Sequence, residues 1–250
     1  MITHGRLTLP SGSNAHSMDT VRNAWNWVLD ILFPIRCIHC SRGEKWVCDE
    51  CVKKIRIHTN FFCPICGHFS FYGELCIHCA KRSYLKGAWV IGDYRDELMK
   101  KTIKHFKYRY VKGVGDVLSA LALEYVRMHA IHKQFDMIIP VPLHERKKLS
   151  RGFNQSETLA KGVSAYFHVP VSSDIVVRKR FTQPQSTVFV KKKLKNIKGA
   201  FFVSDSSQVL GKTILLVDDV VTSGATLNEC ARALHTAGAK EIWGLIMAKG

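Results

Sequence analysis

The stretch Ile214 to Thr226, I-L-L-V-D-D-V-V-T-S-G-A-T, restricts the fold of this chain more than any other. Its apolar run Ile214–Val217 suits a central parallel strand buried on both faces. Asp218 and Asp219 stand at the C-terminal end of that strand, followed by Thr222, Ser223, Gly224, Ala225 and Thr226. The apolar periodicity of Leu227, Cys230, Ala231 and Leu234 starts a helix directly afterwards. N–H groups at a helix start have no intrahelical partner, and with the helix dipole they favour an anion. Gly224 permits close backbone approach, and the hydroxyls of Thr222, Ser223 and Thr226 add donors. The two carboxylates can accept hydrogen bonds from adjacent ribose hydroxyls, directly or through a metal. Together these parts form a sugar-phosphate cradle, with an ordinary turn and two surface aspartates as the plain alternative.

All thirteen positions fit the phosphoribosyl pyrophosphate (PRPP) signature of type I phosphoribosyltransferases, which the stretch resembles. The resemblance implies catalytic roles for Asp218 and Asp219 on the ribose, with Mg²⁺ accompanying PRPP. It also implies a 5′-phosphate site at Thr222 to Thr226.

Upstream stand eight cysteines in four CxxC pairs: Cys37 and Cys40, Cys48 and Cys51, Cys63 and Cys66, Cys76 and Cys79. Two residues between thiolates let both reach one metal, and four thiolates close a tetrahedral structural zinc site without an open position. Two zinc ions are therefore expected. A redox CxxC would not recur four times here, and disulfides do not suit a reducing compartment. The spacer Val52 to Phe62 favours sequential pairing of the cysteines, while interleaving stays open. With eight sulfurs available, His39, His68 and His78 are expected to be exposed instead of ligating.

Residues 1–19 carry little apolar content and are expected to be disordered. Ala24, Trp27, Val28, Ile31 and Leu32 lie at helical spacing before Pro34, so residues 20–82 read as an amphipathic helix plus the double zinc module. Residues 83–250 alternate strands with helices. Strands are expected at Ala88–Tyr94, Asp136–Val141, Ile175–Val177, Ala200–Val203, Ile214–Val217 and Ile242–Met247. Helices are expected at Asp96–Phe106, Val117–Met128 and Gln155–Tyr166. The fold class is α/β: a type I phosphoribosyltransferase-like, parallel-rich sheet with helices on both faces, preceded by a small cysteine-rich zinc module.

No apolar run approaches the roughly 20 residues that span a bilayer, and the N-terminus lacks a signal peptide's basic start and apolar core. A cytoplasmic location is expected. The formal net charge of +17 points to a polyanionic partner. Gly211-Lys212-Thr213 imitates the end of a P-loop but precedes a strand, so no ATP site is read there. Cys230 lies on an apolar helix face and reads as packing.

The second diagnostic stretch is V-P-L-H-E-R-K-K-L-S-R-G-F-N-Q, Val141 to Gln155. With R-F-T-Q-P-Q (Arg180 to Gln185), N-I-K-G-A-F (Asn196 to Phe201) and the cysteine module, it resembles the competence-associated ComF family from about Leu32 onward. The resemblance implies a part in DNA uptake, with a DNA-translocating helicase or other competence proteins as partners. It places pyrophosphate at the loop after the Asp136–Val141 strand, where Arg146 and Arg151 suit a doubly charged leaving group. His144 reads as a capping residue in preference to a proton carrier. Relatives often have arginine before N-x-x-G-A-F, whereas here Lys191, Lys192 and Lys193 stand there, which weakens bidentate phosphate contact.

The acceptor-selecting hood is expected within Arg178–Phe201, and no base pocket is legible in it. From Pro140 to Ala200 there are thirteen Lys and Arg against three Asp and Glu, so the positive field concentrates around the cradle. Single-stranded DNA fits such a surface, with Lys191, Lys192 and Lys193 on phosphates and Tyr166, Phe181 and Phe189 as stacking faces. Two functions compete: a Mg²⁺-dependent phosphoribosyltransferase with unknown acceptor, and a nucleic-acid-binding protein that keeps the PRPP cradle for sensing or as a relic. A zinc adaptor for a DNA-translocating partner is the third.

Overall fold

The computed structural model describes residues 35–109, 112–179 and 197–250. The expected N-terminal extension, the amphipathic helix before Pro34, and Phe181, Phe189 and Lys191–Lys193 lie outside the described residues. In chain order, two short helices, α1 (Asp49–Val52) and α2 (Ile77–Ala80), sit in the cysteine-rich segment. Then come β1 (Gly87–Asp93), α3 (Glu97–Arg109), α4 (Lys112–Met128), β2 (Met137–Pro140), α5 (Glu145–Arg151) and α6 (Gln155–Phe167). The chain continues through β3 (Val176–Arg178), β4 (Phe201–Val203), β5 (Thr213–Val221), α7 (Ala225–Thr236) and β6 (Glu241–Lys249).

β1, β6, β5 and β2 pair in that order as one parallel sheet. Successive side chains of a strand point to opposite faces. In β5, Leu215 and Val217 accordingly join the core under α3, α4 and α6, with Ile103, Leu118 and Leu159. Ile214 and Leu216 join the opposite core with Leu227 and Leu234 of α7, Phe201 of β4, and Cys63 and Leu75 of the cysteine-rich segment. Helices therefore cover both faces, as the alternation of elements implied. Among the described residues no helix is long and apolar enough to cross a membrane.

Three expectations need correction. β5 runs to Val221, four residues beyond Val217, because it stays paired with β6 through Asp218↔Ile246 and Val221↔Lys249. The acidic pair therefore lies inside the strand and not past its end. β3 and β4 do not join the parallel sheet: they pair antiparallel with each other. α4 begins at Lys112, ahead of Val117, although Gly113 and Gly115 lower helix propensity there. Packing overrides propensity: a Cβ on Gly113 would stand 2.9 Å from the Trp46 ring, and one on Gly115 2.8 Å from Phe106.

Candidate functional site

Asp218 and Asp219, in the C-terminal half of β5, are fixed by different elements. Asp218 Oδ1 accepts from Ser156 Oγ of α6 (3.1 Å) and from the Asp219 backbone N–H (2.9 Å). Asp219 Oδ1 lies 2.9 Å from Lys107 Nζ of α3, and both side chains are largely buried. Burial, then the adjacent Asp219 carboxylate, pushes the Asp218 carboxyl from its ordinary 3.8 up to about 7, against the pull of Lys107. Two carboxylates so placed favour a cation or hydroxyl donors between them.

β5 gives way to α7 through Thr222, Ser223 and Gly224. Gly224 is the N-cap residue at φ +72°, a left-handed conformation that glycine adopts without steric cost. No side chain caps the helix at this residue, and Asn228 N–H makes an intrahelical bond to Gly224 O at 2.8 Å. The first turn of a twelve-residue helix is thus aimed out of the C-terminal edge of the sheet, which suits an anion.

The loop after β2 supplies cations. His144 caps α5, its Nδ1 accepting from Arg146 N–H at 3.2 Å, and Gly152 ends that helix at φ +76°. Asn154 caps α6 and donates Nδ2–H to Val141 O at 3.2 Å, which ties the end of this loop back to the end of β2. Arg151 Nη1 donates to Gln155 Oε1 (3.0 Å), and its guanidinium lies over the Tyr108 ring at 5.5 Å. Arg146 is exposed.

Sequence reasoning missed three cations of this site. Lys107 pairs with Asp219. Lys147 is drawn below its ordinary value by burial and by the nearby charges of Arg178, Arg151 and Lys107. Arg178, buried on β3 over the Phe201 ring at 5.3 Å, is lowered by burial and held up by the field of Asp218. Lys147 stands inside the Val141–Gln155 stretch beside Arg146, whereas Lys107 and Arg178 are brought in from α3 and β3 and belong to no motif around the cradle. Cys230 is fully buried in α7, and burial raises its thiol, in keeping with packing.

The cysteines gather sequentially, Cys37, Cys40, Cys48 and Cys51 in one group, and Cys63, Cys66, Cys76 and Cys79 in the other. In each group the sulfurs lie within 4.8 Å of one another. The Cys40–Cys48 and Cys66–Cys76 sulfurs are 3.6 Å apart, close to the ~3.8 Å edge of a zinc tetrathiolate with bonds of about 2.3 Å. Burial raises the Cys37 thiol, but N–H groups of Cys40, Cys48 and His39 outweigh it and bring it to about 6. Cys63 reaches about 7 in the same way. Burial and the sibling sulfurs push Cys51 and Cys79 up to about 12, so a divalent cation is what lets each set ionise completely. Both clusters fit structural zinc. His39 bonds Thr102 Oγ1 at 3.0 Å, and His68 and His78 are exposed, all three outside the ligand sets.

Two families match the chain: a phosphoribosyl transferase domain over residues 154–246 and a double zinc ribbon domain over residues 28–80. Competence protein F of Haemophilus influenzae is 32% identical over 231 residues, covering 86% of this chain and 98% of that protein. DNA utilization protein YhgH of Escherichia coli is 31% identical over 212 residues, covering 80% and 90% respectively. Competence protein ComFC of Bacillus subtilis is 26% identical over 212 residues, covering 81% and 83%.

The raised Asp218 carboxyl sets a pH dependence. A carboxyl that binds its proton more tightly in the folded chain than in the unfolded one costs nothing below its unfolded value. It destabilises progressively as pH rises toward about 7. Asp218→Asn is expected to gain stability relative to wild type between about pH 4 and pH 8, with the difference closing below about pH 4. Urea unfolding of both proteins across this range checks it, and a difference independent of pH contradicts it.

Proposed function

The chain belongs to the ComF family, and on that premise we propose that it acts in DNA uptake and natural transformation through a PRPP-binding phosphoribosyltransferase domain. In this reading residues 83–250 form that domain, and residues 20–82 carry the helix and a structural double zinc module. The observation that carries it is the pair of half-buried Asp218 and buried Asp219, lying just ahead of the glycine-started α7 and faced by Lys107. The names of the relatives, two competence proteins and a DNA utilization protein, support the process. Cysteines gathered in metal-ligand sets instead of disulfides suit a cytoplasmic location.

In the proposed complex Asp218 and Asp219 accept the ribose hydroxyls. The backbone and hydroxyls of Thr222, Ser223, Gly224, Ala225 and Thr226 hold the 5′-phosphate. Arg146 and Arg151, joined by Lys147, hold the pyrophosphate. Mg²⁺, when bound with PRPP, would supply positive charge to the departing pyrophosphate. The bond from the anomeric carbon to pyrophosphate breaks, its electron pair leaving on pyrophosphate, and an acceptor nucleophile takes its place as its proton departs. The fixed cations stabilise the charge that develops on the leaving group.

Single-stranded DNA is proposed as the polyanionic partner, on the strength of the charge excess and of the relatives' names. The Lys191, Lys192 and Lys193 run is the proposed contact. Replacing the three lysines with glutamine is expected to reduce the slope of log affinity against log salt by about 2, at ~0.7 per phosphate contact. An unchanged slope removes these lysines from the interface.

PRPP binding is tested by calorimetric titration of wild type and the Asp218→Asn, Asp219→Asn double variant, with and without Mg²⁺. Asparagine is used because alanine would strip partners from Ser156 and Lys107. The Mg²⁺-dependent component is expected to vanish, with affinity falling about a hundredfold or more for two lost charge-assisted hydrogen bonds. Equal affinity of the two proteins contradicts the cradle.

A further inference from the structure

The two cysteine clusters brace different parts of the molecule. The first lies against α3 and α4: His39 bonds Thr102, Trp46 packs on Gly113, and Cys37, Val47 and Cys51 pack with Val117. The second lies against the loop between β5 and α7. Ile65, between the ligands Cys63 and Cys66, has its Cγ1 3.6 Å from where a Cβ on Gly224 would stand. Its carbonyl accepts from Lys249 Nζ at 3.1 Å, and Lys249 is the register partner of Val221.

The chain leaving the second cluster then grips the first turn of α7. Asn228 Oδ1 accepts from Ser83 Oγ and from Tyr84 N–H, both at 2.8 Å, and its Nδ2 donates to Arg82 O at 3.4 Å. Asn228 is also the residue whose N–H bonds Gly224 O. Cys63 and Leu75 share one core with Val221, Ala225 and Leu227. The loop and helix start, which no N-cap side chain fixes, are thus clamped from outside at two points.

We propose that the second cysteine cluster forms a wall of the cradle, with Ile65 and Asn228 as positioning residues. Metal at this cluster, and not at the first, then sets how firmly residues 222–226 hold an anion. The inference rests on the reading of that loop as the 5′-phosphate site. A loop already held in its binding conformation spends less binding energy on ordering. Loss of the metal frees the knuckle that carries Ile65.

Amide hydrogen exchange over residues 221–228, together with PRPP calorimetry, tests it on variants of the full chain. Cys66→Ser, Ile65→Ala and Asn228→Ala are expected to speed exchange there and to weaken PRPP about tenfold, the scale of one or two lost hydrogen bonds. Cys40→Ser, and the conservative Ile65→Val, are expected to leave both readouts at wild-type values. Unchanged exchange in Ile65→Ala and Asn228→Ala, with both metals retained, overturns the inference, as does Cys40→Ser behaving like Cys66→Ser. If Cys66→Ser fails to fold, the two non-ligand variants decide. If wild type itself does not bind PRPP, the cradle reading fails while hydrogen exchange still judges the brace.

Discussion

Two adjacent carboxylates inside a buried parallel strand are the constraint on which the site depends. Burial and the repulsion of their like charges raise the Asp218 carboxyl, and the field of Lys107 opposes that rise. Ser156 of α6 meets one and Lys107 of α3 meets the other. This divides the work of α3 and α6, whose inner faces fill the core while one polar side chain on each reaches β5. Removing an ionised partner from such a place leaves an uncompensated charge, a larger penalty than the net worth of the pair.

The parts of the fold and site carried by contiguous sequence were legible. Ile214–Thr226 held strand, acids, glycine and helix start in one reading; the CxxC pairs pointed to two metal clusters, and the sequential grouping that the Val52–Phe62 spacer favoured over interleaving is the one the structure has. His144 and Cys230 also took the capping and packing places read for them. The end of β5 was misjudged because an acidic pair normally marks a strand end, although the β-branched Val220 and Val221 were a signal for continuation. Lys107 stands one residue past the helix expected at Asp96–Phe106, and only the fold brings it to Asp219, 112 residues away. Arg178 was noted only as the start of a hood segment, yet it is buried on β3 beside the α7 core. Such residues act through tertiary placement, which periodicity and spacing do not encode.

The cysteine-rich segment is more than an attachment. Ile57 bridges Gly92, Glu74 bridges Gly87, and Lys86 N–H bonds Ile242 O, so the segment is stitched to β1 and β6 before its sulfurs are considered. A metal that closes the second cluster therefore stabilises a surface already continuous with the main core.

The most direct measurement of the central claim is a crystal structure with PRPP and Mg²⁺ bound. The 5′-phosphate is expected against the backbone of Ser223 to Thr226, the ribose hydroxyls on Asp218 and Asp219, and the pyrophosphate toward Lys147 and Arg151. PRPP bound away from β5, or with neither ribose hydroxyl on the acidic pair, would contradict it.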